Sequence, residues 1–250
     1  MATTETGAAT RDCIRILGVP IDRISMDDSL ARLESFIASG KPHLVVTADA
    51  TSIVIANSNP KFLDLVQSAE LVTPDGNGVL WAAKRAGTHL SERVSGVDIL
   101  DRVCGLSADK GYRLFFLGAG TGIAESAAEK LRLKHPGCNI VGTRHGYFPA
   151  ESDEVVAREI AALKPDVLFV AMGMPRQEQF IRATQQIIGA KVAMGVGGSF
   201  DVFSGKTKRA PFIFQRMKLE WLWRLILNPS KISKVKMLPK FVLLVFRERR

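Results

Sequence analysis

The chain has 250 residues, of which 46% are hydrophobic and 24% charged, a composition that excludes a wholly disordered protein and predicts one large domain with an appendage. The charge is uneven. Residues 206–250 hold 13 Lys or Arg against Glu220 and Glu248, a net of +11, whereas the other 205 residues hold 21 basic and 23 acidic groups, a net of −2. A basic tail on a near-neutral body predicts a polyanionic partner for the tail, whether nucleic acid, anionic lipid or substrate phosphate.

The two termini and the cysteines of the sequence indicate the cellular compartment. Residues 1–12 are polar and lack the apolar run of a signal peptide, so we expect a short disordered leader. The longest apolar run of the tail, 241–246, is much shorter than the roughly 18–20 residues that cross a membrane. The cysteines (Cys13, Cys104 and Cys138) are odd in number and scattered, which favours neither a disulfide framework nor a zinc cluster. We expect a protein of the reducing cytoplasm.

The body begins with an apolar run, 14–21, that predicts a strand. A helix follows, starting at a Ser25/Asp28 capping pair and ending at Gly40. Apolar runs then alternate with helical patterns: the predicted strands span 43–47, 70–73, 112–117, 139–143, 167–172 and 191–196, and the predicted helices include 97–108, 124–134, 154–163 and 177–188. This alternation predicts an α/β fold with a mostly parallel sheet and helices on both faces.

The pattern changes near Gly205, beyond which it is helical, amphipathic and interrupted by prolines. We therefore predict an α/β domain over 13–204 and a basic helical appendage over 205–250. Aromatic residues stand beside the cations of the appendage: Phe212, Phe214, Trp221, Trp223, Phe241 and Phe246. This composition predicts amphipathic helices that lie on anionic lipid. The alternative is helices packed on the core with a solvated basic face.

Small and reactive residues follow the predicted strands. In an open α/β sheet, ligands bind beyond the carboxyl ends of the strands. The segments at those ends are 47–49, 74–78, 118–122, 145–148, 173–178 and 195–201, and all but the first are rich in glycine or contain it. Glycines let a ligand approach the backbone and leave amides for anions at helix starts. Any one of these segments is as consistent with an ordinary turn as with a ligand-binding loop. The six segments together favour a phosphate-bearing ligand.

Two rival classes follow from single features. The glycine run at 118–122 suggests an NAD(P)-dependent oxidoreductase, but the third glycine of the fingerprint is missing and no acidic residue ends the next strand. The basic tail suggests a nucleic-acid-binding module, which would leave the glycine-rich strand ends without a purpose. A P-loop lysine motif and an Asp-x-Asp metal pair are also missing from the sequence. We expect phosphate to be neutralised by Arg, Lys and backbone amides rather than by a metal.

Asp75 is the best candidate for a general base. It follows a predicted strand and stands between Pro74 and Gly76, which opens the space beside it. A carboxylate in such a place suits abstraction of a hydroxyl proton. The alternative is that Asp75 only caps the helix through 79–84.

In their order along the chain, these segments resemble one family. The matching stretches are 47–49, 69–78, 92–98, 116–118, 136–148, 165–178, 195–201, 208–211 and 219–225. A Gly-Gly-x-Phe-Asp motif at 197–201 is followed by Lys-Arg-Ala-Pro at 208–211. An α/β fold alone does not require these two motifs in this order, so they are specific to a family. Over residues 14–235 the chain is similar to the WecG/TagA/CpsF glycosyltransferases, bacterial enzymes that extend polyprenyl-diphosphate-linked sugars.

The resemblance implies a function and a location. It implies inverting transfer of a hexose of N-acetylmannosamine, N-acetylmannosaminuronate or glucose type from a UDP-sugar to a polyprenyl-diphosphate-linked saccharide. The product would serve a surface or extracellular polysaccharide, and the Rossmann-like domain would need no metal or other cofactor. The tail would meet diphosphate and the inner face of the plasma membrane, nucleic acid would not be a partner, and the chain is a possible homo-oligomer.

The resemblance also implies a site. The implied catalytic residues are Asp75, Thr47, Gln177 and Arg93. The implied substrate-binding residues are Asp49, Asn77, Gly118, Tyr147, Gly173, Gly198, Asp201, Arg209, Arg224, Lys231 and Lys234. Among them, Tyr147 would stack on uracil and Asp201 would hydrogen-bond to uridine.

The chain departs from the family pattern at a few positions. Asp49 stands where many relatives have Asn, and the extra carboxylate would change donor preference or the proton pathway. Lys231 and Lys234 stand where relatives often carry Arg. Lysine keeps the positive charge but cannot form the bidentate hydrogen bonds that arginine forms with phosphate.

Structural alternatives remain for three site residues. Arg93 could pair with Glu92 or Asp98, Gln177 could only cap a helix, and Tyr147 could be an ordinary core residue.

Overall fold

The computed structural model describes residues 11–207, 211, 214, 223 and 237–248. The strands are β1 (Cys13–Ile16), β2 (Val19–Asp22), β3 (His43–Ala48), β4 (Leu71–Pro74), β5 (Leu114–Gly118), β6 (Ile140–Arg144), β7 (Val167–Ala171) and β8 (Val192–Gly195). The helices are α1 (Met26–Ser39), α2 (Ala50–Ser58), α3 (Pro60–Gln67), α4 (Asn77–Arg85), α5 (Gly96–Lys110), α6 (Ile123–Lys134), α7 (Asp153–Ala162), α8 (Arg176–Ile188), α9 (Ser199–Phe203) and α10 (Met237–Arg247), with a 3₁₀ turn at Ala150–Ser152.

Six of the strands form one parallel sheet in the order β4-β3-β8-β7-β5-β6. The predicted α/β fold with a mostly parallel sheet is confirmed, and each of the six predicted strands lies within two residues of its place. Side chains alternate between the two faces, as the period of a strand requires. Along β3, Leu44 and Val46 enter the core under α2, α3, α7 and α8, whereas Val45 enters the core under α1, α5, α6 and α9. Both faces are therefore covered.

The ends of α1 follow the predicted signals. The Ser25 hydroxyl accepts a hydrogen bond from the Asp28 N–H at 3.1 Å, and the Asp28 carboxylate accepts one from the Ser25 N–H at 3.4 Å. Gly40 ends the helix with φ of 69°, a left-handed conformation that glycine adopts without steric cost. The capping pair and the glycine stop are both confirmed.

The prediction of one strand over 14–21 is wrong. This run is the antiparallel hairpin β1–β2, which turns at Leu17 and Gly18 with φ of 50° and 83°. β2 is buried throughout, whereas β1 alternates between buried Ile14 and Ile16 and exposed Arg15, and Gly18 marks the turn in the sequence.

The predicted leader extends two residues too far. The Arg11 guanidinium donates two hydrogen bonds, each of 2.6 Å, to the Asp22 carboxylate, which also accepts from the Val72 N–H of β4. The Asp12 carbonyl accepts from the Arg23 N–H at 3.0 Å. Residues 11 and 12 therefore belong to the folded body.

The end of the chain returns to the body as helix α10. Phe241, which the sequence suggests as a lipid anchor, is 1% exposed and lies beside Gly78 of α4, and α10 packs on α2. The anchor prediction is wrong for Phe241, because its ring completes the core. Phe246, one turn further on, is 56% exposed. The Glu248 carboxylate accepts a hydrogen bond from the Leu17 N–H, so the last described residue of the chain contacts the N-terminal hairpin.

Among the described tail residues, the rings of Phe214 and Trp223 lie 5.2 Å apart. Phe212 and Trp221 lie outside the described residues. Within the described part of the chain, each helix is too short or too polar to cross a bilayer.

Candidate active site

The loops that carry the predicted site lie along one edge of the sheet, because all six strands are parallel. Ala48 of β3 pairs with Pro74 of β4, so Asp49 and Asp75 leave neighbouring strands at the same level. The Asp75 N–H donates to the Ala48 carbonyl at 2.8 Å. The loops after β8 and β7 follow in the sheet, on the other side of β3.

Asp75 faces the N-terminus of α5. Its carboxylate Oδ2 accepts a hydrogen bond of 3.3 Å from the N–H of Gly96, the first residue of that helix. The positive end of the helix dipole lies there, which favours a carboxylate. The N-cap of α4 is Gly76 rather than Asp75. Asp75 is partly buried, and the region between the loops at this edge of the sheet is the candidate crevice.

Thr47 lies between Asp75 and the loop after β8. A Cβ added to Gly96 would lie 3.3 Å from Thr47 Cγ2, so the start of α5 packs directly on this threonine. The Thr47 hydroxyl donates to the Gly195 carbonyl at 3.4 Å, and the residue is 9% exposed. Thr47 thus connects the Asp75 side of the crevice to β8.

Gln177 joins the loops that follow β7 and β8. Its Oε1 accepts hydrogen bonds of 3.2 Å from the N–H groups of Gly173 and Gly197. Its Nε2 donates to Glu178 Oε1 at 2.7 Å, and the residue is 1% exposed. The side chain therefore bridges two loops of the crevice and does not cap α8, whose N-cap is Pro175.

Glu178 is a residue that sequence reasoning did not single out. It is 1% exposed, and its Oε2 has no hydrogen-bond partner among the described residues. Burial raises the pKa of the Glu178 carboxyl to about 7, and the neighbouring Asp49 carboxylate contributes to the increase. The sequence signal was its place directly after Gln177 at the start of α8, but burial cannot be read from that place.

Asp49 and Arg93 both have structural partners. The Asp49 carboxylate caps α2 by accepting from the Ser52 N–H at 2.7 Å. Arg93 lies 3.4 Å from the Asp98 carboxylate, one of the two pairings considered for it, and its side chain is 20% exposed. It stands just before α5, three residues from the Gly96 amide that Asp75 contacts.

The remaining predicted residues lie in other loops of the same edge. Gly118 has φ of 132°, and a Cβ there would lie 2.5 Å from the Ala171 carbonyl, so only glycine fits. Tyr147, after β6, is 76% exposed with its ring beside Gly120, which rules out a core role. Asp201 in α9 forms an ion pair of 3.7 Å with Lys206.

Two further glycines and Asn77 occupy helix starts and loops. Asn77 is the first residue of α4, Gly198 is the N-cap of α9, and Gly173 has φ of 77°. Arg209, Arg224, Lys231 and Lys234 lie outside the described residues. The structure thus brings Asp75, Thr47 and Gln177 together through Gly96 and Gly195, and places Tyr147 and Asp201 in separate loops.

Comparison with known proteins then identifies the class. The model of the glycosyl transferase WecG/TagA/CpsF family matches residues 14–250. The chain belongs to this family. It is 32% identical over 239 residues to an N-acetylglucosaminyldiphosphoundecaprenol N-acetyl-beta-D-mannosaminyltransferase of Staphylococcus aureus (strain MRSA252), covering 95% of this chain and 93% of the relative.

A transferase of the same name from Bacillus spizizenii is 36% identical over 237 residues, covering 92% of this chain and 91% of the relative. Membership in the WecG/TagA/CpsF family confirms the predicted resemblance and the prediction of a glycosyltransferase. The oxidoreductase and nucleic-acid alternatives receive no such support.

Proposed function

We propose that this WecG/TagA/CpsF protein transfers N-acetylmannosamine from a UDP-sugar, with inversion, to an N-acetylglucosaminyl-diphosphate-polyprenol acceptor. The relatives from S. aureus and B. spizizenii are named as transferases of an N-acetyl-beta-D-mannosaminyl group to N-acetylglucosaminyldiphosphoundecaprenol, and they match this chain over more than nine-tenths of its length. The observation that carries the proposal is the placement of Asp75. The Asp75 carboxylate accepts from the Gly96 amide, Gly96 packs on Thr47, and the Thr47 hydroxyl and the Gln177 amide connect this side-chain cluster to β8 and to the loops after β7 and β8.

In this proposal Asp75 is the general base. It removes the proton from an acceptor hydroxyl while that oxygen attacks the anomeric carbon of the donor. Attack from the face opposite UDP inverts the configuration. The hydrogen bond from the Gly96 amide holds the carboxylate in one orientation, and a positioned base contributes about 100- to 10,000-fold to the rate.

The other predicted residues hold the donor and the leaving group. Arg93, beside the start of α5, orients donor phosphate or sugar, and Thr47 and Gln177 fix the shape of the crevice. The exposed ring of Tyr147 stacks on uracil, and Asp201 bonds to uridine. Basic residues of the appendage, Arg209, Arg224, Lys231 and Lys234, compensate the charge that develops on the leaving diphosphate.

A transfer assay tests this proposal. The purified chain is given UDP-N-acetylmannosamine, UDP-N-acetylmannosaminuronate, UDP-N-acetylglucosamine or UDP-glucose with a short-chain N-acetylglucosaminyl-diphosphate lipid, and UDP release is measured. We expect the largest release with UDP-N-acetylmannosamine, and a product whose anomeric configuration, measured by NMR, is opposite to that of the donor. Release with another donor corrects the sugar, whereas no release with any donor overturns the function.

Two binding measurements would favour the alternative functions, an oxidoreductase or a nucleic-acid-binding module. Stabilisation by NAD or NADP and not by UDP in a thermal-shift screen would favour an oxidoreductase. Strong, salt-sensitive DNA binding without UDP affinity would favour a nucleic-acid-binding module.

We also propose that the appendage, residues 205–250, holds the catalytic domain, residues 13–204, on the inner face of the plasma membrane. The observation is an apolar and basic surface shared by α4 and α10. Trp81, Leu243 and Phe246 are 38%, 48% and 56% exposed. The Arg85 guanidinium lies 3.9 Å from the Phe246 ring centre, and an open groove of about 460 Å³ is lined by Trp81, Lys84, Arg85 and Phe246. Each basic residue near an anionic surface contributes about 1 kcal/mol.

Vesicle flotation tests the membrane proposal. Removal of the whole appendage is a poor test, because α10 buries Phe241 against the body. The double variant Leu243→Glu, Phe246→Glu changes only exposed side chains, and Leu133→Glu on α6, 82% exposed, is its matched control. We expect wild type and control to float with phosphatidylglycerol vesicles and the double variant to stay behind. Equal flotation of all three, or of none, overturns this surface.

A further inference from the structure

Glu178 is a buried acid in which one of the two carboxyl oxygens has no hydrogen-bond partner among the described residues. Oε1 accepts from Gln177 Nε2 at 2.7 Å, whereas Oε2 is inaccessible to solvent and has no partner among the described residues. A buried polar atom without a partner is costly, so its presence here calls for a physical reason. The proposed reaction does not so far use it.

The charged groups around Glu178 do not neutralise it. On its own helix, Arg176 pairs with Asp153 of α7, and Arg182 bonds to the Ser68 carbonyl and hydroxyl after α3. The acid that acts on it from the start of α2 is Asp49. A negative charge on Glu178 would therefore be buried, beside a second carboxylate and without a described cation to compensate it.

These surroundings favour the neutral acid. Burial raises the pKa of the Glu178 carboxyl to about 7, and Asp49 adds to this effect. Near neutral pH the group is thus poised between its two forms.

The packing leaves the carboxyl group no room to move. A Cβ added to Gly195 would lie 2.4 Å from Gln177 Nε2 and 2.8 Å from Glu178 Oε1, so the two side chains fill the space against the end of β8. The carbonyl of the same Gly195 accepts from the Thr47 hydroxyl. Gly195 therefore lies between Glu178 and the Thr47 hydroxyl.

We propose that Glu178, as a neutral acid, is a positioning residue that fixes the Gln177 amide and, through it, the loops after β7 and β8. With Nε2 bonded to Glu178, Oε1 of Gln177 must face the N–H groups of Gly173 and Gly197. The opposite amide orientation would place the NH₂ group against two donors. Ionisation of Glu178 keeps the bond to Gln177, but it puts a buried charge beside Asp49 that no described cation compensates, and we expect this charge to displace the side chains packed against Gly195. The inference rests on the proposed transferase function.

The kinetic test compares Glu178→Gln and Glu178→Leu across pH 5.5 to 8.5. Glutamine keeps the acceptor oxygen and cannot ionise, so we expect turnover similar to that of wild type at pH 6 without the fall that wild type shows as pH rises through about 7. Leucine removes the acceptor, and since misplacement by about 1 Å can cost about 100-fold, we expect a 10- to 100-fold loss of kcat at every pH. Glu154→Gln, an exposed acid on α7, is the control and should follow wild type.

A second readout does not depend on activity. The ordinary pKa of a glutamate is 4.5 and burial raises that of Glu178 to about 7, so the folded state binds more protons than the unfolded state between these values. Wild type therefore loses stability as pH rises from about 4.5 to about 7. We expect the Tm of Glu178→Gln minus that of wild type to be larger at pH 8 than at pH 5.

Several outcomes overturn the inference. They are parallel Tm curves for wild type and Glu178→Gln, an alkaline fall of kcat that persists in Glu178→Gln, or a loss in Glu178→Gln at pH 6 as large as that in Glu178→Leu. If wild type turns over no UDP-sugar, the proposed function fails, and the Tm comparison still decides whether Glu178 is the neutral acid described here.

Discussion

The two halves of the candidate crevice differ in whether their side chains are buried and hydrogen-bonded or exposed to solvent. In the closed half, formed by the loops after β4, β3, β8 and β7, Thr47 and Gln177 are buried and bonded to the backbone of neighbouring loops. In the open half, formed by the loop after β6 and by α9, Tyr147 presents an exposed ring. Groups that act on the reacting atoms need a fixed geometry before the substrate arrives. A stacking ring can complete its contact when the nucleotide binds.

The largest effect should come from Asp75→Asn in the closed half. The amide keeps the shape of the carboxylate but cannot accept the hydroxyl proton, so we expect kcat to fall at least about 100-fold. UDP affinity, measured by calorimetry, should stay within about threefold of wild type, since less than 1 kcal/mol would be lost. Asp64→Asn on α3, an exposed aspartate, is the matched control. Wild-type turnover by Asp75→Asn would remove Asp75 from the mechanism.

Gly195→Ala should disrupt the closed half by steric contact, since it removes no charged group. The new methyl group would lie 2.4 Å from Gln177 Nε2, so the bridge between the β7 and β8 loops must shift. We expect a 10- to 100-fold loss of kcat, in line with misplacement by about 1 Å, and a lower Tm. Gly105→Ala in α5 has 3.6 Å to its nearest neighbour, an ordinary contact, and serves as control. Unchanged kcat in Gly195→Ala would show that this bridge is not needed.

Tyr147→Ala should affect the open half alone. Loss of base stacking costs about 1–3 kcal/mol, so we expect the Kd for UDP to rise about tenfold or more, measured by calorimetry. Because the ring is 76% exposed, Tm should not change. Tyr147→Phe keeps the stacking face and should bind as wild type does. A change of Tm with no change of Kd would assign Tyr147 to structure instead.

The smallest effect is expected from EDTA. If Arg, Lys and backbone amides neutralise the diphosphate, the turnover of enzyme dialysed against EDTA should equal that of untreated enzyme, and added Mg²⁺ or Mn²⁺ should not raise it. A loss that either ion restores would show that the leaving group needs a metal.

Features that depend on local sequence could be predicted, whereas features that depend on contacts between distant segments could not. The strands of the sheet and the ends of α1 follow local signals, apolar runs, a capping pair and a glycine, which need no knowledge of the rest of the chain. The position of Asp75 at a strand end was predictable for the same reason. The burial of Glu178 was not, because it arises from α8 packing on α3, β3 and β8, most of which are distant in sequence.

The errors have a similar cause. The prediction of one strand at 14–21 missed the turn because apolar residues stand on both sides of Gly18, where the fold buries them against β4 and α3. Phe241 was interpreted as a lipid anchor because its neighbours are apolar and basic, whereas in the fold its ring lies beside Gly78, which has no side chain there. Both are cases in which tertiary contacts override a local pattern.

The hydrogen bond from the Leu17 N–H to Glu248, together with Phe241 beside Gly78, has a consequence for synthesis. A ribosome releases the chain N-terminus first, so the α2 and α4 surfaces that flank Asp49 and Asp75 stay uncovered until α10 has been translated. Any nascent fragment that stops before α10 leaves these surfaces exposed, which makes the competence of the enzyme depend on translation as far as that helix.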